Sequence, residues 1–334
     1  MKNDNKPSIE FGDGIFSPLA TGFIQYKRSC GLKYDGSAEY RLRAICRKLN
    51  RYPMDSPELT KAIDDELVQK HPEEKYSTQS RRITLLRQFA RYLNMQGIIA
   101  HVYPERSIHK EENTFVPYLF SDDEIERIFA VADCLRPTTR YPHYQEVYPA
   151  LLRLLYSSGL RLSEALNLKL VHFDEANNTI LIENSKKGKS RRIPLSASMS
   201  CVLKGYIDKR FGIGPGMERY IFEAPDGGRY SRGGVRSTVL NIFKAAGVPT
   251  STAGRHARVH DVRHLFSVKS MEKMKSCGMD LYCAMPLLSV YLGHEGLRET
   301  EKYLWLPEFR MQELSAPSRQ LMSGMIPEVT WDEE

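Results

Sequence analysis

Residues 179–195 read TILIENSKKGKSRRIPL, and here the period of the apolar side chains changes from helical to two. Residues 179–182 are predicted as a strand, residues 186–190 as a turn around Gly188, and residues 191–195 as the returning strand. The sequence on both sides keeps helical spacing. This stretch therefore predicts a small antiparallel hairpin on an otherwise helical domain.

Helical patterns extend outward from the hairpin in both directions. Their starts follow ordinary signals, such as the Ser121 capping box and the Ser56-Pro57-Glu58 cap, and glycines end several of them. The predicted helices cover residues 18–30, 38–49, 56–67, 77–96, 121–132, 148–158, 197–211, 233–246, 260–276, 286–292 and 299–304.

The helical period is lost between two groups of helices, in a segment with Pro104 and several polar residues. We expect a domain boundary near residue 115. The predicted parts are a flexible N-terminus (1–14), a helical domain (15–100), a linker (101–117), a second domain (118–306) and a C-terminal tail (307–334).

The charge is basic and unevenly distributed. Among 334 residues, 48 Lys and Arg stand against 41 Asp and Glu, which gives a net charge of +7. Residues 1–110 hold 19 basic and 13 acidic side chains, hence most of the excess. This balance indicates a nucleic-acid partner, and an apolar content of 41% excludes a disordered tail.

The six cysteines form no Cys-x-x-Cys pair, and no apolar run reaches the roughly 18 residues of a membrane span. We expect reduced thiols and a soluble cytoplasmic protein that does not enter membranes.

Four segments carry groups suited to a phosphodiester. In SSGLRLSE (157–164), a glycine ends one helix, Arg161 begins the next, and Glu164 lies one turn later, where it can orient the guanidinium. An arginine at a helix start is more often an ordinary surface residue. Its combination with the other segments makes the functional interpretation preferable.

The hairpin turn has five cations among residues 184–192. A basic turn is usually a solvated loop or a phosphate clamp, but an ammonium on a hairpin can also donate a proton to a leaving oxygen. Lys186 is the preferred general acid, and Lys187 stays open as the alternative.

The third segment, HDVRH (260–264), places His260 and Arg263 one helical turn apart, so both can face the same anion. The fourth is YLGH (291–294), followed nine residues later by Tyr303. A histidine packed at a helix start and a core tyrosine are the ordinary alternatives, since the chain has 18 tyrosines.

Together, GLRLSE, SKKGKSRRIPL, HDVRH and LGH with the following tyrosine resemble the catalytic signature of tyrosine recombinases, the phage integrase family. The sequence of residues 287–294 resembles that of family members carried by transposons and other mobile elements. The resemblance extends over nearly the whole chain and implies a two-domain DNA clamp: a helical core-binding domain and a catalytic domain, mainly α with a small antiparallel sheet.

The resemblance also implies residue roles. Arg161 and Arg263 would bind the scissile phosphate, Lys186 would act as general acid, and Tyr303 would attack through a 3′-phosphotyrosyl link. His260 and His294 would handle protons and donate to the phosphate, and Glu164 would support Arg161. The segment between Arg263 and His294 is longer than in many members, and the doubled lysine leaves the acid open by one position.

We expect binding to double-stranded DNA at specific sites. The expected contacts are the basic helix faces and the hairpin: Arg41, Arg43, Arg47, Lys48, Arg81, Arg82, Lys187, Lys189 and Arg191. The resemblance implies four protomers on two DNA sites, with or without sister recombinases, and a tail that docks on a neighbour or else frays.

No acidic cluster has the layout of a two-metal nuclease, so we expect no metal, no cofactor and no ATP. Two alternatives stay open. A type IB topoisomerase would use the same linkage to relax one duplex, and an architectural DNA-binding protein would keep the fold without chemistry.

Overall fold

The computed structural model describes residues 10–32, 34, 36–104, 116–139, 141–183, 190–212, 216–250, 256–301 and 303. The chain divides into two units, residues 1–115 and 116–334.

The first unit is helical. Its helices are α1 (Ser17–Ser29), α2 (Gly36–Leu49), α3 (Lys61–Val68) and α4 (Tyr76–Met95). Each turns an apolar face inward, and Phe23, Leu42 and Phe89 are fully buried among the side chains of this core. The basic residues of α2 and α4 are thereby left largely at the surface.

Helix α3 begins later than the sequence predicted. Ser56 is not its cap; instead the Thr60 side chain accepts a hydrogen bond from the amide of Ile63. Leu59 precedes the cap and forms a parallel bridge with Ala100. The predicted start was wrong because this long-range backbone pairing, invisible to local propensity, takes Leu59 out of the helix and leaves Thr60 as its cap.

The second unit contains α5 (Asp122–Asp133), α6 (Tyr144–Ser158), α7 (Leu162–Leu166), α8 (Ala197–Phe211), α9 (Arg232–Ala245), α10 (Asp261–Ser276) and α11 (Leu281–Leu292). Residues 298–301 and 303 are also helical. The Ser121 capping box is confirmed, since Ser121 and Glu124 exchange both bonds at the start of α5. Within the described ranges, no helix combines the length and hydropathy needed to cross a membrane.

The predicted antiparallel pairing of the two strands is confirmed and gains a third strand, while most of the predicted turn (residues 186–189) lies outside the described residues. β2 (Thr179–Ile182) pairs antiparallel with β3 (Arg191–Pro194), and β1 (Phe173–Asp174), which was not predicted, pairs with the other edge of β2. β1 is two residues long, too short to show a period. Ile180, Ile182 and Ile193 are buried and anchor the sheet to the core of this unit.

Two helices begin before the predicted residue, and both contain a proline. Pro149 lies inside α6 and Pro286 inside α11, although proline usually marks a first turn. The side chain of Asp280 caps α11 by accepting bonds from the amides of Tyr282 and Cys283. Burial on both sides of each proline outweighs the lost backbone hydrogen bond.

Helix α10 organises the part of this unit that bears on function. It packs against α6 and α11. A separate apolar cluster between α10 and α11 includes Val268, Leu288 and Tyr303. Residues from the turn after α6, the start of α10, the end of α11 and the segment after it are therefore brought together.

Candidate active site

Arg161 enters the site from a sharp turn between α6 and α7. Gly159 ends α6 with a φ of +60°, and a Cβ at that position would lie 2.3 Å from the Phe266 ring. Glycine is therefore required here both for its backbone angle and for space. Arg161 follows as the N-cap of α7 and donates from Nη1 to Oε1 of Glu164 over 2.9 Å, while its backbone amide donates to Oε2 over 3.0 Å.

Arg263 is buried, with 2% of its surface exposed. Its Nη1 donates to the carbonyl oxygen of Gly159 over 2.8 Å, and its Nη2 donates to that of Leu292 over 2.7 Å. Burial, and then the charge of Arg161, lower the pKa of the Arg263 guanidinium to about 10. It therefore stays charged at neutral pH and joins the C-terminal ends of α6 and α11.

Arg191 was predicted to contact DNA, and all three of its guanidinium nitrogens are hydrogen-bonded inside the protein. Nη1 and Nη2 donate to Oε1 and Oε2 of Glu164 over 3.1 and 3.0 Å, and Nε donates to the carbonyl oxygen of Tyr291 over 2.8 Å. The bidentate geometry suits a guanidinium and a carboxylate, and it fixes Arg191 against Glu164.

The end of α11 receives three different arginines. The carbonyl oxygens of residues 291, 292 and 293 accept from Arg191, Arg263 and Arg161, respectively, with a distance of 3.1 Å for the last pair. The last carbonyls of a helix lack intrahelical donors and carry partial negative charge. The three guanidiniums therefore cap this helix and are held by it.

Glu164 contacts the same three arginines. Its Oε2 is also 3.9 Å from Nη1 of Arg263. Burial pushes the pKa of the carboxyl upward, but the hydrogen bonds and charges of Arg191 and Arg161 outweigh it and lower the pKa from its ordinary value. Glu164 is therefore ionised and holds the arginines in one arrangement.

Tyr303 lies at the edge of this cationic group with 1% of its surface exposed. Its hydroxyl is 2.8 Å from Nδ1 of His264. Burial raises the pKa of the phenol, while the hydrogen bond of Ser267 and the charges of Arg263 and Arg161 oppose the rise. The phenol therefore lies close enough to feel both positive charges.

His264 is a site residue that the sequence analysis did not assign. The signal was present in HDVRH, because His260 and His264 are four residues apart and share one helix face. The ring centroids of His260 and His264 lie 4.9 Å apart, and the ring planes are inclined at 85°.

His294, which the sequence analysis assigned to proton handling, also lies near the phenol. Its ring is 6.2 Å from that of Tyr303, and its Nδ1 is 2.7 Å from Oγ1 of Thr300.

His260 and Arg161 line one side of a cavity of about 460 Å³. Three further arginines line the same cavity: Arg232 and Arg236 on α9, and Arg258 before α10. Arg258 also pairs with Asp261 over 2.9 Å. The i, i+4 spacing of the α9 pair was a usable signal in the sequence. The cavity can accommodate an anion larger than one phosphate.

The basic residues of the first unit that were predicted to contact DNA differ in their surroundings. Arg41 and Arg81 lie on a concave surface between α2 and α4, which lines a cavity of about 370 Å³. Arg82 pairs with Glu74 instead, over 2.8 Å. Arg47 is exposed, Arg43 is half-buried, and Nζ of Lys48 lies 3.2 Å from Nε2 of His71. Lys186, Lys187 and Lys189 lie outside the described residues.

The site therefore brings together five of the six predicted catalytic residues: Arg161, His260, Arg263, His294 and Tyr303. Two positive guanidiniums next to a phenol and two imidazoles can bind an anionic ester, stabilise charge that develops on it and move protons.

Comparisons with known proteins identify the family of this chain. The sequence model described as the phage integrase family matches residues 119–307. The integrase/recombinase y4rB of Sinorhizobium fredii is 30% identical over 255 residues, which are 75% of this chain and 81% of that protein. The tyrosine recombinase XerC of Oceanobacillus iheyensis is 27% identical over 250 residues, 73% of this chain and 75% of XerC.

Solved structures share the fold. The XerH site-specific recombinase bound to a palindromic difH substrate in a post-cleavage complex superposes with a TM-score of 0.64 at 19% identity, over 90% of this chain and 86% of XerH. A lambda integrase dimer bound to a COC' core site gives 0.60 at 16% identity, over 84% and 94% of the two chains. The predicted fold class, mainly α with a small antiparallel sheet, is confirmed.

Proposed function

Since this chain belongs to the phage integrase family and is a tyrosine-type site-specific recombinase, we propose that it cleaves DNA by attack of the Tyr303 hydroxyl on a backbone phosphate. The attack forms a bond between the phenolic oxygen and phosphorus, breaks the bond to the 5′-oxygen, and leaves a 3′-phosphotyrosyl link and a 5′-hydroxyl. A 5′-hydroxyl from a second strand then reverses the step. The energy of the phosphodiester is kept in the covalent intermediate, so no ATP is needed.

The observation that carries this proposal is the joint position of Arg161, Arg263 and Tyr303. The two guanidiniums share Glu164 and the adjacent carbonyls of α11, and both charges act on the phenol. An arginine offers two parallel donors and keeps its charge at neutral pH. Together the pair would stabilise the negative charge that develops on the nonbridging oxygens, the usual role of preorganised donors.

Proton transfer is assigned to the remaining groups. The leaving 5′-oxygen needs a proton, which we assign to Lys186, with Lys187 as the alternative. His260 lines the cavity beside Arg161, and the His294 ring stacks near that of Tyr303. We assign both to hydrogen bonding with the phosphate and to proton movement.

Double-stranded DNA is the proposed partner. The first unit would act as a core-binding domain, and its concave surface with Arg41 and Arg81 would neutralise phosphates. Arg232 and Arg236 would contact phosphates next to the cleaved one, because they line the same cavity as Arg161. The relatives XerH and lambda integrase were solved with DNA, which supports this partner.

We further propose that four protomers act on two DNA sites, that the tail (307–334) docks on a neighbouring protomer, and that the protein works at the nucleoid. Chemical crosslinking of the protein with paired target duplexes should give a tetramer band that is absent with a duplex of random sequence. A dimer as the largest DNA-dependent species would contradict the tetramer.

The covalent intermediate is tested with nicked suicide duplexes made from the DNA sequences on either side of the gene. Wild-type protein should form an adduct that survives a denaturing gel, in EDTA and without ATP. Tyr303→Phe should form none while it binds a duplex of random sequence as wild type does. Tyr282→Phe, which removes an exposed phenol on α11, is the matched control and should keep the adduct. An adduct in Tyr303→Phe would show that another residue is the nucleophile.

A further inference from the structure

Arg191 is built into the centre of the site although it is neither one of the six assigned residues nor a free surface cation. Only 13% of its side chain is exposed. Its two terminal nitrogens bind both oxygens of Glu164, and its Nε binds the carbonyl of Tyr291. A residue that only contacts DNA has no need of three internal acceptors.

The charges explain what this arrangement achieves. Glu164 accepts from Arg161, and a carboxylate paired with one arginine cancels most of the charge that this arginine offers to a phosphate. Arg191 supplies a second cation to the same carboxylate. In the described part of the chain, Arg161, Arg191 and Arg263 meet the one carboxylate of Glu164, so two net positive charges remain for the substrate.

The backbone of Arg191 connects this charge balance to the hairpin. Arg191 begins β3 and pairs with Ile182 at the end of β2, so it stands at the end of the paired strands from which the chain continues toward Lys186 in sequence. Its side chain reaches the end of α11, where Gly293 has a φ of +65° and a Cβ would lie 2.7 Å from Nη1 of Arg191. The glycine leaves the space that the guanidinium fills.

We propose that Arg191 is a positioning residue that compensates Glu164 and thereby keeps Arg161 oriented and fully charged toward the scissile phosphate. It also holds the base of the hairpin against α7 and α11. The inference rests on the proposed function, because it assigns the purpose of Arg191 to the phosphate site of that reaction.

The first test compares single-turnover cleavage of the nicked suicide duplex by three variants. Arg191→Met should slow adduct formation about 100-fold, the scale of a misplaced catalytic group, and Arg191→Lys should fall between it and wild type. Arg192→Met is the matched control, because Arg192 is the next residue on β3, is 57% exposed at its side chain and pairs with Asp174. It should cleave at nearly the wild-type rate.

The salt dependence of binding separates positioning from a phosphate contact. Arg191→Met should reduce the slope of log affinity against log salt by about 0.9 in either case, because the site loses one net positive charge. If Arg191 acts through Glu164, adding Glu164→Gln should return the slope to the wild-type value, whereas a slope that stays reduced in the double variant would mean that Arg191 itself neutralises a phosphate and would overturn the inference.

A double variant tests the proposed route through Glu164. In Arg191→Met, the carboxylate is left to cancel Arg161, so adding Glu164→Gln should restore cleavage by about tenfold, within the usual coupling of contacting charged groups. A loss that adds to that of Arg191→Met would overturn the inference. Thermal unfolding of each variant excludes global unfolding as the cause. Absence of an adduct with wild-type protein would instead contradict the proposed function.

Discussion

The hydroxyl of Tyr303 lies 2.8 Å from Nδ1 of His264, on the buried side of the cationic site. This places the phenol in the apolar cluster between α10 and α11, with almost no solvent contact. A phenol in this setting is neutral at pH 7, because burial raises its pKa. Deprotonation must therefore accompany its arrival at the phosphate.

The titration of Tyr303 can be measured in the DNA-free protein. Carbon-13 NMR of tyrosine Cζ, with the signal of residue 303 identified from its loss in Tyr303→Phe, should show ionisation above pH 10, the ordinary value. The reason is burial, which exceeds the opposing effect of Ser267 and the nearby arginines. Ionisation at or below pH 10 would mean that the arginines dominate and that the free protein already holds an activated nucleophile.

The second prediction concerns the glycine beside Arg191. Gly293→Ala should lower the free energy of unfolding by about 1 to 2 kcal/mol, because alanine is strained in the left-handed backbone conformation of this residue. The added Cβ should also displace the Arg191 guanidinium, so that cleavage slows by about tenfold or more. Urea unfolding and suicide-substrate cleavage measure the two effects.

Gly278→Ala separates these effects. Gly278 also has a positive φ, of +80°, but a Cβ there would meet nothing within 4 Å. It should lose similar stability and cleave normally. Equal cleavage rates for the two alanine variants would show that the contact with Arg191 is unimportant.

Glu164 should give a distinct pH dependence of stability. Its pKa is lowered by folding, so its contribution is complete above the ordinary value of 4.5 and is lost as the pH falls through the folded-state pKa. Near neutral pH, the free energy of unfolding of Glu164→Gln should be about 3 kcal/mol lower than that of wild type, because the buried arginines lose their partner. This difference in the free energy of unfolding should become smaller in acid.

Urea unfolding at neutral pH and below pH 4 checks this trend. Glu218→Gln is the matched control, because Glu218 pairs with Lys169 at the surface, where its side chain is 79% exposed. Surface pairs contribute little, so this variant should resemble wild type at both pH values. A gap for Glu164→Gln that widens in acid would contradict the assigned direction of the pKa shift.

The fourth prediction concerns the concave surface of the first unit. Arg41→Ala or Arg81→Ala should weaken binding to a duplex of random sequence and reduce the salt slope by about 0.9 for each phosphate that the variant no longer neutralises. Arg82→Ala should leave the slope unchanged, because Arg82 pairs with Glu74. Fluorescence anisotropy at several salt concentrations distinguishes them, and a reduced slope for Arg82→Ala alone would place the DNA elsewhere.

The order of residues along the chain was sufficient for the fold class, most helices, the hairpin and the family. Helix α8 was predicted from Ala197 to Phe211 and observed with the same bounds, because its cap and its end at Gly212 are local signals. The starts of α3, α6 and α11 were wrong. For α3, the local Ser56-Pro57 signal was overridden by packing and by the pairing of Leu59 with Ala100, and α6 and α11 begin several residues earlier than predicted and run through Pro149 and Pro286.

The motifs also identified the residue types of the site, because Arg161, Glu164 and HDVRH lie within single helical turns, where spacing fixes proximity. Spacing cannot report contacts across a hundred residues. Arg191 looked like one more cation of a basic turn, yet folding brings it to the carbonyl of Tyr291 and the carboxylate of Glu164. Long-range packing decides that placement, since burying a guanidinium is tolerable only where the fold supplies acceptors for its donors.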